Sequence, residues 1–401
     1  MIKKLAHHKG NISGEIFVSG SKSESNRLLI LQRSFADLTL KNLSNSDDTK
    51  YLGKALTGES EIVDISHAGT AMRFLTAYFA AKEGREVVLT GSHRMQNRPI
   101  SILVDALRSL GADISYKDKE GYPPLIIKGK ELVKSEVAIQ GNVSSQYISA
   151  LLLMAPGLKN GLKVQLLGEV TSVPYINMTL ALLKELGVAY SWNGNSIKIN
   201  PLKSMAKAEM TVESDWSSAS YFYSLVALSN EGEVTLHSYK ENSLQGDSSL
   251  VETYKHFGVS TQFDKDKITL RKVDHKVEPL RLDLSDSPDL AQTIAVTCFG
   301  LGIACDLTGL HTLKIKETDR LVALEQELTK LGAAITVTDK SLHLATGNKI
   351  NKDVLIETYD DHRMAMAFAP LALKLPIQID DAEVVTKSYT DFWADFESVL
   401  V

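Results

Sequence analysis

An internal repeat limits this chain more than any other feature. Four times an amphipathic helical stretch runs into a glycine and then a β-rich segment: Leu107-Arg108-Ser109-Leu110-Gly111, Leu183-Lys184-Glu185-Leu186-Gly187, Tyr254-Lys255-His256-Phe257-Gly258 and Thr329-Lys330-Leu331-Gly332. These glycines lie 76, 71 and 74 residues apart. A glycine just past a helix end takes the left-handed conformation that closes the last turn, so its recurrence marks a repeated helix-to-strand junction. A second signal stands 26 to 30 residues ahead of each, where Gly84, Gly161, Gly232 and Gly302 follow apolar helical stretches and open β-rich runs. Leu375-Pro376-Ile377-Gln378-Ile379 reads as a fifth instance, and the first 65 residues, with helices from about Glu24 and Asp48, as a degenerate sixth. The unit is strand, helix, strand, helix, hairpin. Its period exceeds the roughly 20 to 50 residues of solenoids, so an α/β (α+β) fold of compact domains built from several βαβαββ-type units is preferred to an open array; two similar domains of three units each, with a cleft between them, would be economical.

The 401 residues suffice for two substantial cores, and 44% apolar with 23% charged residues describes an ordinary globular protein. The formal net charge is −5, with no continuous stripe of lysine and arginine, which argues against a nucleic-acid surface. Met1-Ile2-Lys3-Lys4 has the charge of a signal peptide, but polar His7, His8, Lys9 and Asn11 come directly after it. No run approaches the roughly 18 apolar residues of a membrane span. A cytoplasmic protein is the expectation. Cys298 and Cys305 stand in an apolar stretch and read as buried, reduced thiols, and the ten histidines form no metal-binding pattern.

Cations are gathered in compact sets beside hydroxyls and carboxylates, a pattern suited to small polyanions. Gly20-Ser21-Lys22-Ser23-Glu24-Ser25-Asn26-Arg27 is a small-residue turn entering a helix, where backbone donors, hydroxyls, Lys22 and Arg27 face an anion; its glycine spacing excludes a Walker loop. Ala68-Gly69-Thr70-Ala71-Met72-Arg73 opens another helix, with Gly69 permitting close approach and Arg73 available as a brace. Pro99 in a first helical turn puts Arg98 at the mouth of a helix over Ile100 to Leu110. Ser144-Ser145-Gln146 and Thr171-Ser172-Val173-Pro174-Tyr175 repeat the design with neutral donors, a pattern also produced by ordinary capping. Later, Glu213 to Ser220 opens a helix, and Asp289 stands at a helix entrance as a cap or a general base. In Lys316-Glu317-Thr318-Asp319-Arg320 a first helical turn would make Lys316 and Arg320 neighbours, with an anion, Glu317 or Asp319 between them. Asp361-His362-Arg363 has the same form, and Lys387 stands near the chain end.

Taken in order from Gly20 to Phe396, these strings closely resemble the 5-enolpyruvylshikimate-3-phosphate (EPSP) synthases, the 3-phosphoshikimate 1-carboxyvinyltransferases. The resemblance implies one domain over residues 20–213 and a second over 1–19 plus 214–401. It implies transfer of the enolpyruvyl group of phosphoenolpyruvate to the 5-hydroxyl of shikimate 3-phosphate, with release of phosphate, in aromatic amino-acid biosynthesis. Matched by motif, Lys22, Ser23, Arg27, Ser144, Ser145, Gln146, Ser172, Tyr175, Asp289 and Lys316 would hold shikimate 3-phosphate. Lys22, Gly69, Arg98, Gln146, Arg320, Arg363 and Lys387 would hold phosphoenolpyruvate. Asp289, Glu317 and Lys22 would carry the proton transfers, and ligand binding would close the domains. No organic cofactor or metal is expected, and a monomer is.

Two positions depart from the family pattern. His67 stands where many members have asparagine before Ala-Gly-Thr, and Thr312 where some have asparagine. The sister enzymes acting on UDP-N-acetylglucosamine typically place a cysteine in the loop corresponding to His93–Asn97, and this chain has none there. A catalytically silent anion-binding protein of the same fold would not need Lys22, Asp289, Glu317, Arg320 and Arg363 together.

Overall fold

The structure, a computed structural model, describes residues 1–8, 10–170, 173–204, 207–276, 278–346 and 350–401, without the side chain of Ile315. The chain divides into two compact units, Gly20–Val212 and Met1–Ser19 with Glu213–Val401. The division falls one residue before the expected 213. Glu213 belongs with the C-terminal stretch because its Oε1 accepts from Trp216 Nε1 (2.7 Å) and Lys240 N (3.0 Å), and its Oε2 from Ser243 Oγ (2.7 Å).

In Gly20–Val212 the repeat appears as two four-stranded sheets and one two-stranded remnant. Ile62–Asp64 runs parallel to Glu86–Thr90, which pairs antiparallel with Leu125–Lys128, itself the hairpin partner of Asp113–Tyr116. Glu136–Gln140, Leu162–Leu167, Ser196–Ile199 and Tyr190–Asn193 repeat the same order. Leu38–Lys41 pairs parallel with Ala208–Thr211, joining the beginning of the unit to its end. In the other unit the pattern recurs in Ile12–Ile16, Gly232–His237, Lys267–Lys272 and Val259–Asp264. It recurs again in Leu280–Asp283, Cys305–Thr308, Leu342–Leu344 and Ile335–Val337. A third sheet there pairs Lys3–Leu5, Ile377–Ile379 and Leu355–Ile356.

The four junction glycines all adopt positive φ, at 105° for Gly111, 82° for Gly187, 72° for Gly258 and 99° for Gly332. A Cβ is disfavoured there, which fixes where each helix stops and its hairpin starts.

Each unit is organised on largely buried helices, apolar nearly all round except for Lys22–Ser34, whose buried face carries Glu24, Ser25, Asn26 and Arg27 beside Leu28, Ile30 and Leu31. In Gly20–Val212 these are Lys22–Ser34, Gly69–Ala80 and Ser145–Met154, packed on one another. In the other unit Trp216–Leu228, Ala291–Leu301 and His362–Phe368 pack together. Trp216, Phe222, Ile294 and Phe368 are fully buried, and each such side chain contributes about 1.5–3 kcal/mol of transfer free energy. One buried helix comes from each repeat, so the cationic and hydroxyl motifs of the sequence fall at or just before helix N-termini.

Candidate active site

In the Gly20–Val212 unit the motifs meet around three arginines. Arg27 is 2% exposed and gives four of its five N–H groups to protein. Its Nε donates to Thr179 Oγ1 (2.8 Å), Nη1 to Ser23 O (2.7 Å), and Nη2 to Ser149 Oγ (3.1 Å) and Tyr175 O (3.3 Å). It thereby ties the first turn of Lys22–Ser34 to Ser145–Met154 and Val173–Glu185. Burial without a bound carboxylate lowers its pKa to about 10. Arg73 braces the next motif, donating to Gly69 O (3.2 Å) and Pro99 O (3.4 Å). Burial, and then Arg98, bring its pKa to about 10 as well.

Arg98 differs from both. It is partly exposed, and among the described residues its side chain makes no hydrogen bond or ion pair. Its guanidinium lies against the Cα of Gly69, so close that a Cβ there would come within 2.6 Å of Nη1. Gln146 Nε2 donates to Thr70 Oγ1 (3.2 Å), linking the starts of two buried helices. Ser144 is the N-cap of the second, accepting from Gln146 N (3.4 Å). Lys22 Nζ lies 3.5 Å from Asp48 Oδ2. The Nε2 of His67 is buried without a partner.

In the other unit one guanidinium organises three carboxylates. Arg320, 1% exposed, donates Nε to Asp361 Oδ2 (2.5 Å), Nη1 to Asp289 Oδ1 (2.8 Å) and Nη2 to Glu317 Oε2 (2.8 Å). Burial opposes its charge, but Asp361, Glu317 and Asp289 outweigh that penalty and raise its pKa. Arg363 Nη2 reaches Asp289 Oδ2 (3.1 Å) and Ser217 Oγ (3.2 Å). Ser217 in turn donates to Asp247 Oδ2. Asp247 is buried, and desolvation, with the Asp289 charge next in size, pushes its pKa up to about 6, Arg363 opposing. Lys316 Nζ is 3.4 Å from Asp289 Oδ1, and Lys387 Nζ donates to Asp360 O (2.7 Å). Ser217, Asp289 and Arg363, from three buried helices or their entrances, thus converge where the helix dipoles are positive.

The family model for EPSP synthase (3-phosphoshikimate 1-carboxyvinyltransferase) matches residues 48–396. The chain belongs to the EPSP synthase family. A 3-phosphoshikimate 1-carboxyvinyltransferase of Bacteroides fragilis is 49% identical over 399 residues, covering 98% of this chain and 97% of the relative. One from Colwellia psychrerythraea is 36% identical over 414 residues, covering 96% of each. An EPSP synthase structure from Acinetobacter baumannii matches the fold with a TM-score of 0.80 at 20% identity, covering 100% of this chain and 98% of that one.

Against the EPSP synthase motifs, two local expectations change. The helix carrying Arg320 begins at Arg320 itself, because Asp319 takes the N-cap and accepts from Val322 N (3.3 Å). Lys316 therefore precedes the helix rather than lying on its first turn, and it meets Arg320 through Asp289. Similarly, Ser101–Leu110 starts beyond Pro99, whose carbonyl is taken by Arg73 and by Tyr147 OH (2.7 Å). Ser172 lies outside the described residues. Asp361, Asp247, Ser217 and Asp48 are site neighbours absent from the sequence-based set. Asp361 carried a signal, standing two residues before Arg363; Asp247 carried none. No helix among the described residues is long and apolar enough to cross a membrane, and no cluster of metal-binding side chains occurs among them.

Proposed function

We propose that this chain transfers the enolpyruvyl group of phosphoenolpyruvate to the 5-hydroxyl of shikimate 3-phosphate, releasing phosphate, as its EPSP synthase membership implies. The observation that carries the reading is the Arg320 guanidinium holding Asp289, Glu317 and Asp361 while Arg363 and Lys316 converge on Asp289. Such a knot of opposed charges is poised to exchange partners with an anionic substrate.

In this reading Ser23, Arg27, Ser144, Ser145, Gln146, Ser172, Tyr175, Asp289 and Lys316, with Lys22, hold shikimate 3-phosphate. Lys22, Gly69, Arg98, Gln146, Arg320, Arg363 and Lys387 hold phosphoenolpyruvate. Four of the five N–H groups of Arg27 are taken by protein, so its part in holding the ester is chiefly to fix Ser23 and Tyr175, which meet the ligand. Arg98 has its donors available, which supports a direct role. The buried, partnerless His67 Nε2 and Thr312 Oγ1, at the two positions that depart from the family pattern, offer further polar atoms to ligands.

The chemistry is addition and then elimination. Protonation of the phosphoenolpyruvate methylene makes its neighbouring carbon cationic, and the 5-hydroxyl attacks to give a tetrahedral ketal phosphate. Asp289, which accepts hydrogen bonds from Arg320 and Arg363, takes the hydroxyl proton, with Lys22 sharing the role. Glu317 gives the proton to carbon. In the free protein Arg320 Nη2 donates to Glu317 Oε2 (2.8 Å), and substrate phosphate competes for that guanidinium. Loss of phosphate and of a methyl proton regenerates the enol, while the arginines balance phosphate charge. The protein acts as a cytoplasmic monomer, a state that sedimentation tests.

Phosphate release from phosphoenolpyruvate, assayed separately with shikimate 3-phosphate and with UDP-N-acetylglucosamine, tests the proposal. Release with the shikimate ester alone supports it. Release with the sugar nucleotide, or with neither acceptor, refutes it.

A further inference from the structure

Immediately before Asp361 the backbone does something costly. Tyr359 and Asp360 have φ of 54° and 55°, two consecutive non-glycine residues in the left-handed region. Such conformations persist only where their surroundings impose them. Three contacts do so here. Tyr359 OH donates to Glu327 Oε1 (2.5 Å) and lies 2.8 Å from Gln326 Oε1. Lys387 Nζ donates to the carbonyl of Asp360 (2.7 Å). Arg320 grips the carboxylate of Asp361.

Glu327 is 0% exposed, an unusual place for a carboxylate without a catalytic task. It is satisfied by Tyr359, by Lys330 Nζ (2.8 Å to Oε1) and by Glu357 N (3.2 Å to Oε2). Glu327 and Arg320 lie on one helix, Arg320–Lys330, about two turns apart. The turn is therefore stapled to that helix at both ends, with Arg320 on Asp361 and Glu327 on Tyr359. What the staple governs is the register of the next helix, whose second residue is Arg363, and the carbonyl that orients Lys387.

We propose that Tyr359 and Glu327 form a positioning pair that holds the 359–361 turn left-handed and so sets Arg363 and Lys387 for phosphoenolpyruvate. The proposal rests on the reading that those two cations bind that substrate. Neither Tyr359 nor Glu327 touches the reacting atoms. A tyrosine hydroxyl is suited to the task because its rigid ring delivers one directed bond to a carboxylate fixed by two further donors.

The test uses the full-length protein and the Tyr359→Phe variant, which keeps the ring and removes the bond. Two quantities are read: hydrogen exchange of the backbone amides at 359–363, and KM for each substrate. Exchange faster by about tenfold, and a KM for phosphoenolpyruvate raised about tenfold with that for shikimate 3-phosphate unchanged, are expected from losing a hydrogen bond to a charged acceptor. Glu327→Gln, which keeps Tyr359 and retains an acceptor for its hydroxyl, should keep a KM for phosphoenolpyruvate close to that of the wild type. A role confined to stability would lower the active fraction and leave both KM values alone. Unchanged exchange in Tyr359→Phe overturns the clamp. Faster exchange with unchanged KM, while Arg363→Ala and Lys387→Met raise it, overturns the link to substrate. If those two controls also leave KM unchanged, the binding reading itself is wrong and the proposal fails with it.

Discussion

Replacing Gly69 with alanine should separate folding from substrate binding. Gly69 is the first residue of the buried helix Gly69–Ala80, and its φ is not positive, so the backbone accepts alanine. Alanine is favoured over glycine in helices by up to about 1 kcal/mol, so the melting temperature should hold or rise. The new methyl would stand 2.6 Å from Arg98 Nη1, whereas ordinary contact begins at 3.4 Å. The guanidinium must move by about 0.8 Å, and it is free to do so because no partner among the described residues anchors its donors. A displacement near 1 Å in a positioning group can cost up to about a hundredfold, so kcat/KM for phosphoenolpyruvate should fall about ten- to a hundredfold. KM for shikimate 3-phosphate should change little. Steady-state kinetics varying each substrate, beside a thermal melt, make the measurement. An unchanged KM for phosphoenolpyruvate would show that Arg98 does not hold this ligand from its observed position. Equal rises in both KM values with a lower melting temperature would replace the local argument with general disruption.

The charge arrangement and the buried thiols lead to three other outcomes. Arg320→Ala leaves buried Asp361 without its cation and should cost about 3–5 kcal/mol in urea unfolding at neutral pH, because breaking one side of a buried ion pair strands the other; a loss under 1 kcal/mol would contradict the burial argument. Asp247 binds its proton more tightly folded, with pKa about 6, than at the ordinary 3.8, so its contribution to stability is full below pH 3.8 and falls as pH rises through 6. Relative to wild type, Asp247→Asn should therefore gain roughly 3 kcal/mol between about pH 3.5 and pH 8, and a pH-independent difference would refute the shift. Cys298 and Cys305 are both buried, and burial raises the Cys298 thiol, so native protein should resist iodoacetamide while urea-unfolded protein takes two labels. Prompt labelling of the folded protein would contradict that.

What is legible in the sequence is mostly local. Gly111, Gly187, Gly258 and Gly332 announce their junctions because a backbone demand at one position selects glycine there whatever surrounds it. Some helix starts are readable for the same reason, since Ser144 and Asp319 cap the chain next to them, whereas Ser21 and Ala68 make no side-chain cap bond. Asp247 is not readable: its significance comes from Ser217 and Arg363, 30 and 116 positions away, and no local pattern encodes that meeting. Arg27 and Arg98 look alike as sequence, yet one is spent inside the protein and the other is available, a difference set by whether Thr179 and Ser149 lie opposite. The charge spacing of Lys316 and Arg320 suggests a helical turn, but the capping preference of Asp319 prevails and starts the helix four residues later.

In the proposed mechanism Asp289 and Glu317, two of the carboxylates held by Arg320, carry proton transfers, and the tetrahedral intermediate reports on them. Rapid-quench single turnovers, with enzyme in excess of phosphoenolpyruvate and shikimate 3-phosphate, follow the ketal phosphate directly. Asp289→Asn and Glu317→Gln should each slow its formation by about a hundredfold or more, the usual worth of a general acid or base, while substrate binding changes less. Ketal phosphate forming at the wild-type rate in either variant would contradict the role assigned to that residue.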